Sequence, residues 1–204
     1  LMVGFNRRFA PLVKKVKEQL NTSPLSMVYR INSGAIPPGN WIQDREIGGG
    51  RVVGEVCHFI DFISYIAASR PVRLYASALS DPNNHDDTVA INVECENGSI
   101  GSIAYYANGS KTVAKEYVEI YQTGLTAIIR DYKELEIHGK RKPYKKKLMS
   151  QDKGQKQMLE AFLSAIKEGR PSPINPDDLF AVTRATFAVV ESLKLCQSIT
   201  LNDS

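Results

Sequence analysis

The sequence predicts an α+β fold: a large, mainly antiparallel, open-faced β-sheet with helices on one face. Three observations predict it. Hydrophobic periodicity turns from helical to alternating near Pro71. The alternating segments beyond are short and joined by Gly, Asn or Asp links, as an antiparallel meander requires. Two amphipathic segments then close the chain and can cover one sheet face. With 204 residues, 43% of them hydrophobic, the chain can bury a sizeable core. Residues 1–204 read as one domain without internal repeats.

Leu1-Met2-Val3-Gly4-Phe5 reads as a short buried strand that enters a helix through Asn6-Arg7-Arg8-Phe9. Pro11 suits a first helical turn, and Leu12, Val16 and Leu20 form an apolar face opposite Lys14, Lys15, Lys17 and Glu18. Leu25 to Ser33 reads as a strand with Met27, Tyr29 and Ile31 on one side and Val28, Arg30 and Asn32 on the other. Gly34 to Asp44 is too rich in proline and glycine for regular structure. It holds Trp41, which either shapes a substrate site or plugs the core edge. The helix carrying His58 frays between Ala67 and Pro71. Strands follow at Val72–Leu79, Thr88–Cys95, Ser99–Tyr106, Tyr117–Gln122, Ala127–Asp131 and Glu134–Ile137, with Asn97-Gly98 as a hairpin signal. Helices close the chain at Gln155–Glu168 and at Asp177–Leu195, the latter capped by Asn175 or Asp177 with Pro176 at its start.

Helices on one side leave the other sheet face open. Thr88, Asn92, Glu94, Ser102, Lys115 and Glu116 give that face polarity, yet Tyr105, Tyr106, Tyr117, Ile120 and Tyr121 place large groups on both sides. Two copies associating sheet to sheet is one reading and a solvated amphipathic face the other.

Composition excludes more than it selects. The formal charge of +4 suits an anionic small molecule and falls short of a dedicated nucleic-acid binder. The run Lys140-Arg141-Lys142-Pro143-Tyr144-Lys145-Lys146-Lys147 reads as a solvated strand and turn rather than a nucleic-acid patch, because Pro143 interrupts it and acidic residues flank it. Cys57, Cys95 and Cys196 suggest neither a disulfide framework nor a zinc cluster, and a reducing cytoplasm is expected. No run of about eighteen apolar residues predicts a membrane span.

The chemistry concentrates at Gly48-Gly49-Gly50 and the following helix. Counted at 3.6 residues per turn, Val52, Val56, Phe59, Ile60, Ile63 and Ile66 form an apolar stripe, while Glu55, His58 and Asp61 step along a neighbouring face. An imidazole is the side chain best suited to taking up and giving back a proton near neutral pH, and a carboxylate one turn away at Glu55 or Asp61 would favour its protonated form. A helix histidine satisfied by a neighbouring carboxylate is the structural alternative. Glu55-x-x-His58-x-x-Asp61 lacks a second histidine or a cysteine cluster, so no metal is expected.

Val3-Gly4-Phe5-Asn6-Arg7-Arg8-Phe9, Ile36-Pro37-Pro38 to Trp41, Gly48-Gly49-Gly50 followed by Cys57-His58-Phe59-Ile60-Asp61, and Lys115-Glu116-Tyr117-Val118-Glu119, in that order and spacing, resemble one family. It is the C-terminal domain of the glucose-fructose oxidoreductase, inositol dehydrogenase and rhizopine-catabolism (Gfo/Idh/MocA) oxidoreductases, and the likeness spans nearly the whole chain. The resemblance implies a dihydrodipicolinate-reductase-like C-terminal fold. It also implies the substrate-binding and oligomerisation part of a nicotinamide-dependent dehydrogenase of a sugar, cyclitol or sugar nucleotide. On it, His58 and Glu55 are the catalytic candidates, and Asn6, Arg7, Asn32, Trp41 and Lys115 line the substrate; for Arg8 a surface ion pair is preferred. Homo-oligomers through the open face and a carbohydrate-like substrate are the implied partners.

The family's glycine fingerprint and its Glu-Lys-Pro motif do not occur in the chain. Residues 1–9 are therefore expected to be the end of a Rossmann domain, NAD or NADP to belong to a longer parent, and no cofactor to bind this fragment. The family tends to carry an aspartate four residues before its histidine. Here that position is Gly54, which keeps a non-catalytic binding or assembly module open as the alternative.

Overall fold

The computed structural model describes every residue except Pro38, Arg45, 81–85, Arg141 and 202–204. Pro38 of the proline loop and Arg141 of the basic run thus lie outside the described residues. Among the described residues the strands are β1 (Ser26–Asn32), β2 (Pro71–Ala78), β3 (Val89–Cys95), β4 (Ile100–Tyr106), β5 (Glu116–Gln122), β6 (Leu125–Arg130), β7 (Glu134–His138), β8 (Tyr144–Lys147) and β9 (Ile199–Thr200). They form a single sheet in the order β8-β7-β6-β5-β1-β4-β3-β2-β9. The helices are α1 (Pro11–Lys17), α2 (Cys57–Ala67), α3 (Gln155–Lys167) and α4 (Pro176–Leu195).

The α+β prediction holds, with one topological addition. β1 sits between β4 and β5, parallel to the first and antiparallel to the second. Alternation sorts the faces cleanly. Met27, Tyr29 and Ile31, Val89, Ile91 and Val93, Ile103 and Tyr105, and Val118 and Ile120 are all buried beneath the helices. Their neighbours Val28, Tyr75, Ile100, Tyr106 and Tyr121 stand on the uncovered face, each at least 40% exposed. From α2, Phe59, Phe62, Ile63 and Ile66 pack down on this inner face, and Tyr29 lies between Phe59 and Phe62 with ring centroids 4.9 and 5.0 Å away. Each such side chain contributes about 1.5–3 kcal/mol on burial.

Several expectations are corrected. Leu1 to Phe5 is not a strand: Leu1 and Val3 are exposed, no ladder partner adjoins them, and Phe5 and Asn6 donate instead to the carbonyls of Val3 and Gly4, two residues back. Asn6–Phe9 is a short 3-10 turn. Glu116 does not join the open face, because β5 begins with it and alternation turns it inward alongside Val118 and Ile120. The large groups do fall on both sides, as expected: Tyr105 and Ile120 are buried under the helices, and Tyr106 and Tyr121 stand on the open face. The basic run does pair as an edge strand: Lys145 and Lys147 lie opposite Glu136 and Glu134, with ion pairs of 3.4 and 2.6 Å. Lysines on an edge also discourage further strand addition.

The α3 helix hangs on one close contact. Gly154, at its N-terminus, has φ +85°, and a Cβ there would meet Ala10 N and Asn6 O at 2.5 Å. Gly154→Ala is therefore expected to destabilise the fold by more than about 1 kcal/mol, read as a lower denaturation midpoint at unchanged slope.

Candidate functional site

The glycine turn is shaped by its own loop. A Cβ on Gly48 would lie 2.6 Å from Ile42 Cα, and Gly49 and Gly50 have φ of +70° and +78°. The turn therefore lets the Trp41–Gln43 segment lie directly against it. That segment is a 3-10 turn capped by the Asn40 side chain, which accepts from Ile42 N–H at 3.0 Å. Trp41 is 62% exposed, so it does not plug the core.

Between the glycines and α2 the backbone is a π-helix over Val52–Val56. Such wider turns occur mostly as single bulges and frequently at functional sites. The π segment changes the phase assumed by counting at 3.6 per turn, so Glu55 within it parts company with His58 and Asp61 in the α-helix that follows. Asp61 turns fully inward and Glu55 faces the strand ends. His58 is half-buried, its ring edge-on to Phe5 at 5.7 Å.

Neither carboxylate hydrogen-bonds His58. Glu55 Oε1 takes Arg51 Nε at 3.1 Å, and Glu55 Oε2 lies 3.4 Å from Lys115 Nζ. Burial works to raise the Glu55 pKa, but Arg51 and Lys115 outweigh it and hold the carboxyl below its ordinary value. Asp61 receives Arg8 Nε at 3.1 Å and the same guanidinium's second nitrogen, which is the physical reason it is unavailable to the imidazole. Arg8's main partner is thus a buried carboxylate, and the surface ion pair expected for it is a longer second contact, 3.8 Å to the partly exposed Asp178. Burial pushes the Asp61 carboxyl up to about 6 against the pull of Arg8.

His58 itself has a buried Nδ1 with no hydrogen-bond partner. Burial chiefly, and then the positive charge of Arg7, lower its pKa to about 4, so the ring is neutral through the physiological range. A neutral imidazole keeps one ring nitrogen able to accept a proton.

The residues expected to line a substrate divide. Arg7 is committed elsewhere: its Nε and terminal nitrogen donate to the two oxygens of buried Glu116 at 2.8 and 3.0 Å. Lys153 Nζ adds a 2.7 Å contact to the same carboxylate, and the Tyr29 hydroxyl donates to it while meeting the Tyr132 hydroxyl at 2.7 Å. Burial works to raise the Glu116 pKa, yet Arg7 and Lys153 bring it down to about 2. Asn6 spends its amide on Lys153 O at 2.8 Å. Asn32 clamps a loop, donating to Ser110 O and Val113 O at 2.6 and 3.2 Å. Lys115, with 38% of its side chain exposed, is the one that reaches toward the His58 helix in the open. Arg51, Glu116, Lys153, Tyr29 and Tyr132 escaped the sequence reading. The signal for Glu116 and Tyr29 was their place on alternating strands, where each falls on the apolar side.

Gly54 has open space around it, since a Cβ there would meet nothing nearer than 3.8 Å. A groove of about 530 Å³ lies on the other flank of the glycine turn, lined by Val52, Val53, Phe187, Val190 and Leu193, and does not include His58. Among the described residues no cluster of three or more His, Cys, Asp or Glu is placed to hold a metal, and no helix is long and apolar enough to cross a membrane.

Comparison with known proteins agrees with the fold. Several solved oxidoreductases share the fold. An oxidoreductase domain protein from Kribbella flavida superposes with TM-score 0.82 at 16% identity, over 99% of this chain and 66% of its own. Aldose-aldose oxidoreductase from Caulobacter crescentus does so with TM-score 0.79 at 17% identity, over 98% and 64%. UDP-N-acetylglucosamine 3-dehydrogenase GnnA from Acidithiobacillus ferrooxidans gives TM-score 0.79 at 17% identity, over 96% and 62%. The uncharacterized oxidoreductase YrbE of Bacillus subtilis is 32% identical over 111 residues, which is 50% of this chain and 32% of that protein. The chain thus spans about a third of YrbE and under two thirds of these solved oxidoreductases. The GFO/IDH/MocA C-terminal domain model matches residues 24–141, a stretch that holds β1, the glycine turn, the π segment, His58 and Lys115. That span is more than half of the chain, and the chain belongs to the GFO/IDH/MocA C-terminal domain family.

Proposed function

We propose that this chain is the substrate-binding and oligomerisation part of a nicotinamide-dependent oxidoreductase that acts on a CH–OH group of a sugar, cyclitol or sugar nucleotide. One observation carries the reading: His58 is a neutral imidazole whose Nδ1 is buried without a partner, on the helix that leaves the π segment. In this role His58 accepts the hydroxyl proton as the alcohol is oxidised and returns it in the reverse direction. Glu55, held by Arg51 and Lys115, supplies a fixed negative charge one turn away, which favours the imidazolium as it forms.

NAD or NADP takes or gives the hydride. The glycine turn is not its cradle, because the Gly48 side faces the chain's own Ile42 backbone. The nicotinamide is held by another part of a longer protein. Sugar and sugar-nucleotide chemistry is supported by two relatives named for it, the aldose-aldose oxidoreductase and the UDP-N-acetylglucosamine 3-dehydrogenase. The alternative, a non-catalytic binding or assembly module, is favoured by Gly54.

The pH dependence of kcat/KM in the full-length protein tests the role of His58. A base works in its neutral form, so lowering its pKa extends activity toward acid. Below pH 7, kcat/KM is expected to stay level past pH 6 and to fall only on approach to about pH 4. An acid limb centred near the ordinary imidazole value, about 6.5, would contradict it.

The open sheet face is proposed to pair with a second copy. Val28, Ile100, Tyr106 and Tyr121 place apolar and aromatic groups there without cover, and tyrosines of this kind favour interfaces. Val28→Lys combined with Ile100→Lys is expected to convert a dimer or larger assembly to monomer in sedimentation or light scattering. A wild-type monomer, or an unchanged assembly in the double variant, would contradict it.

A further inference from the structure

We propose that the substrate carries a negatively charged substituent, a carboxylate or a phosphate, and that Lys115 is the residue that reads it. The inference rests on the proposed dehydrogenase reading for what the site does, but its physical basis is independent of the reaction.

At the helix start, two cations flank one carboxylate. Arg51 is buried and serves Glu55 Oε1 at 3.1 Å while donating to Gly34 O at 2.8 Å. Lys111 lies over that same Gly34, where a Cβ would come within 3.0 Å of its methylenes. Lys115 lies 3.4 Å from Glu55 Oε2. Glu55 neutralises one of the Arg51 and Lys115 charges. Arg51 already satisfies it at shorter range, so Lys115 leaves a surplus of positive charge one helical turn from His58.

Lys115 is built to exploit that surplus. Its backbone is held from several directions: Asn32 N–H donates to Lys115 O at 2.7 Å, Arg30 donates to Ala114 O at 2.6 Å, and the Asn32 amide ties down Ser110 O and Val113 O. The side chain is left 38% exposed with one long ion pair. A rigid base under a mobile ammonium places a cation without spending it, since the exposed, stretched pair with Glu55 is worth little. An incoming anion would exchange for Glu55 at Lys115 while Arg51 keeps Glu55 in place. Asn32 thus holds Lys115 O through its backbone N–H and the preceding loop through its side-chain amide.

The test uses the full-length protein with three probes of one sugar: glucose, glucuronate and glucose 6-phosphate. At low salt the anionic probes are expected to show KM about tenfold or more below that of glucose, an advantage that shrinks as salt rises. Whether glucuronate or glucose 6-phosphate gains more separates carboxylate from phosphate. Lys115→Met is expected to bring the anionic-to-neutral KM ratio close to one, and Lys115→Arg to restore most of it. If Lys115→Met moves all three KM values alike, or moves KM for the nicotinamide instead, the inference is overturned. If the protein turns over none of the probes, equilibrium dialysis with the same three decides. Anion-selective binding that Lys115→Met abolishes upholds the inference while removing the dehydrogenase reading, and unselective or absent binding overturns the inference.

Discussion

Turnover of the full-length protein is expected to fall about 10²–10⁴-fold in His58→Ala, the usual contribution of a positioned acid or base. Stability should change by about 1 kcal/mol or less, because the lost contacts are few. The ring meets Phe5 edge-on, and its buried Nδ1 forms no hydrogen bond that folding would forfeit. His58→Gln keeps some of the bulk and is expected to lose activity to a similar extent, which separates the proton role from packing. Unchanged turnover in either variant would remove His58 from the mechanism.

The largest expected stability effect lies nearby and involves no chemistry. Glu116→Gln should destabilise the chain by about 3–5 kcal/mol, as expected when one partner leaves a buried ion pair. Glu116 is 1% exposed and gathers Arg7, Lys153 and the Tyr29 hydroxyl, so a neutral amide leaves two cations under-compensated in the interior. Glu119→Gln on the open face of the same strand is the control, expected within about 0.5 kcal/mol of wild type. A Glu116→Gln loss below about 1 kcal/mol would show that the cluster is not a tie between the Asn6–Phe9 turn and the sheet.

The same groups set an acid limit on stability. Glu116 has a folded pKa lowered to about 2, so its contribution is complete above its ordinary value of 4.5 and is lost as pH falls from there toward 2. His58 has a folded pKa lowered to about 4, so the unfolded chain takes up its proton first, below the ordinary 6.5, and stability also falls between 6.5 and 4. Both windows act in the same direction.

Much of this fold was legible where signals are local. The strands from Val72 to Ile137 fall within a few residues of their predicted positions. Asn97-Gly98 does turn the β3–β4 hairpin, with Gly98 at φ +82° and its N–H donating to Cys95 O at 2.9 Å. Asn175 does cap α4, accepting from Asp177 N–H at 3.1 Å. What failed was non-local or broke the assumed period. β1 pairs with β4 and β5 across long stretches of chain, and no alternation within β1 says which strands flank it. β8 was legible as a solvated strand and turn but not in its pairing with β7, because all four of its residues are exposed, which erases the two-sided pattern.

The site was legible in its residue types and less so in its partnerships. His58, Glu55 and Lys115 do converge at the start of one helix. Counting at 3.6 per turn could not foresee the π segment over Val52–Val56, which shifts Glu55 relative to His58 and Asp61. Arg7 looked available because its partner Glu116 is 109 positions away and sits at the first, inward-facing position of a strand. A charged pair of that kind has no sequence period to betray it.

The most direct measurement is the formation of reduced nicotinamide by the purified full-length protein, supplied with NAD or NADP and a panel of neutral and anionic sugars, cyclitols and sugar nucleotides. The expected result is reduction with at least one of them, abolished in His58→Ala. Carbohydrate binding without any reduction of either nicotinamide would contradict the dehydrogenase account and leave a binding module in its place.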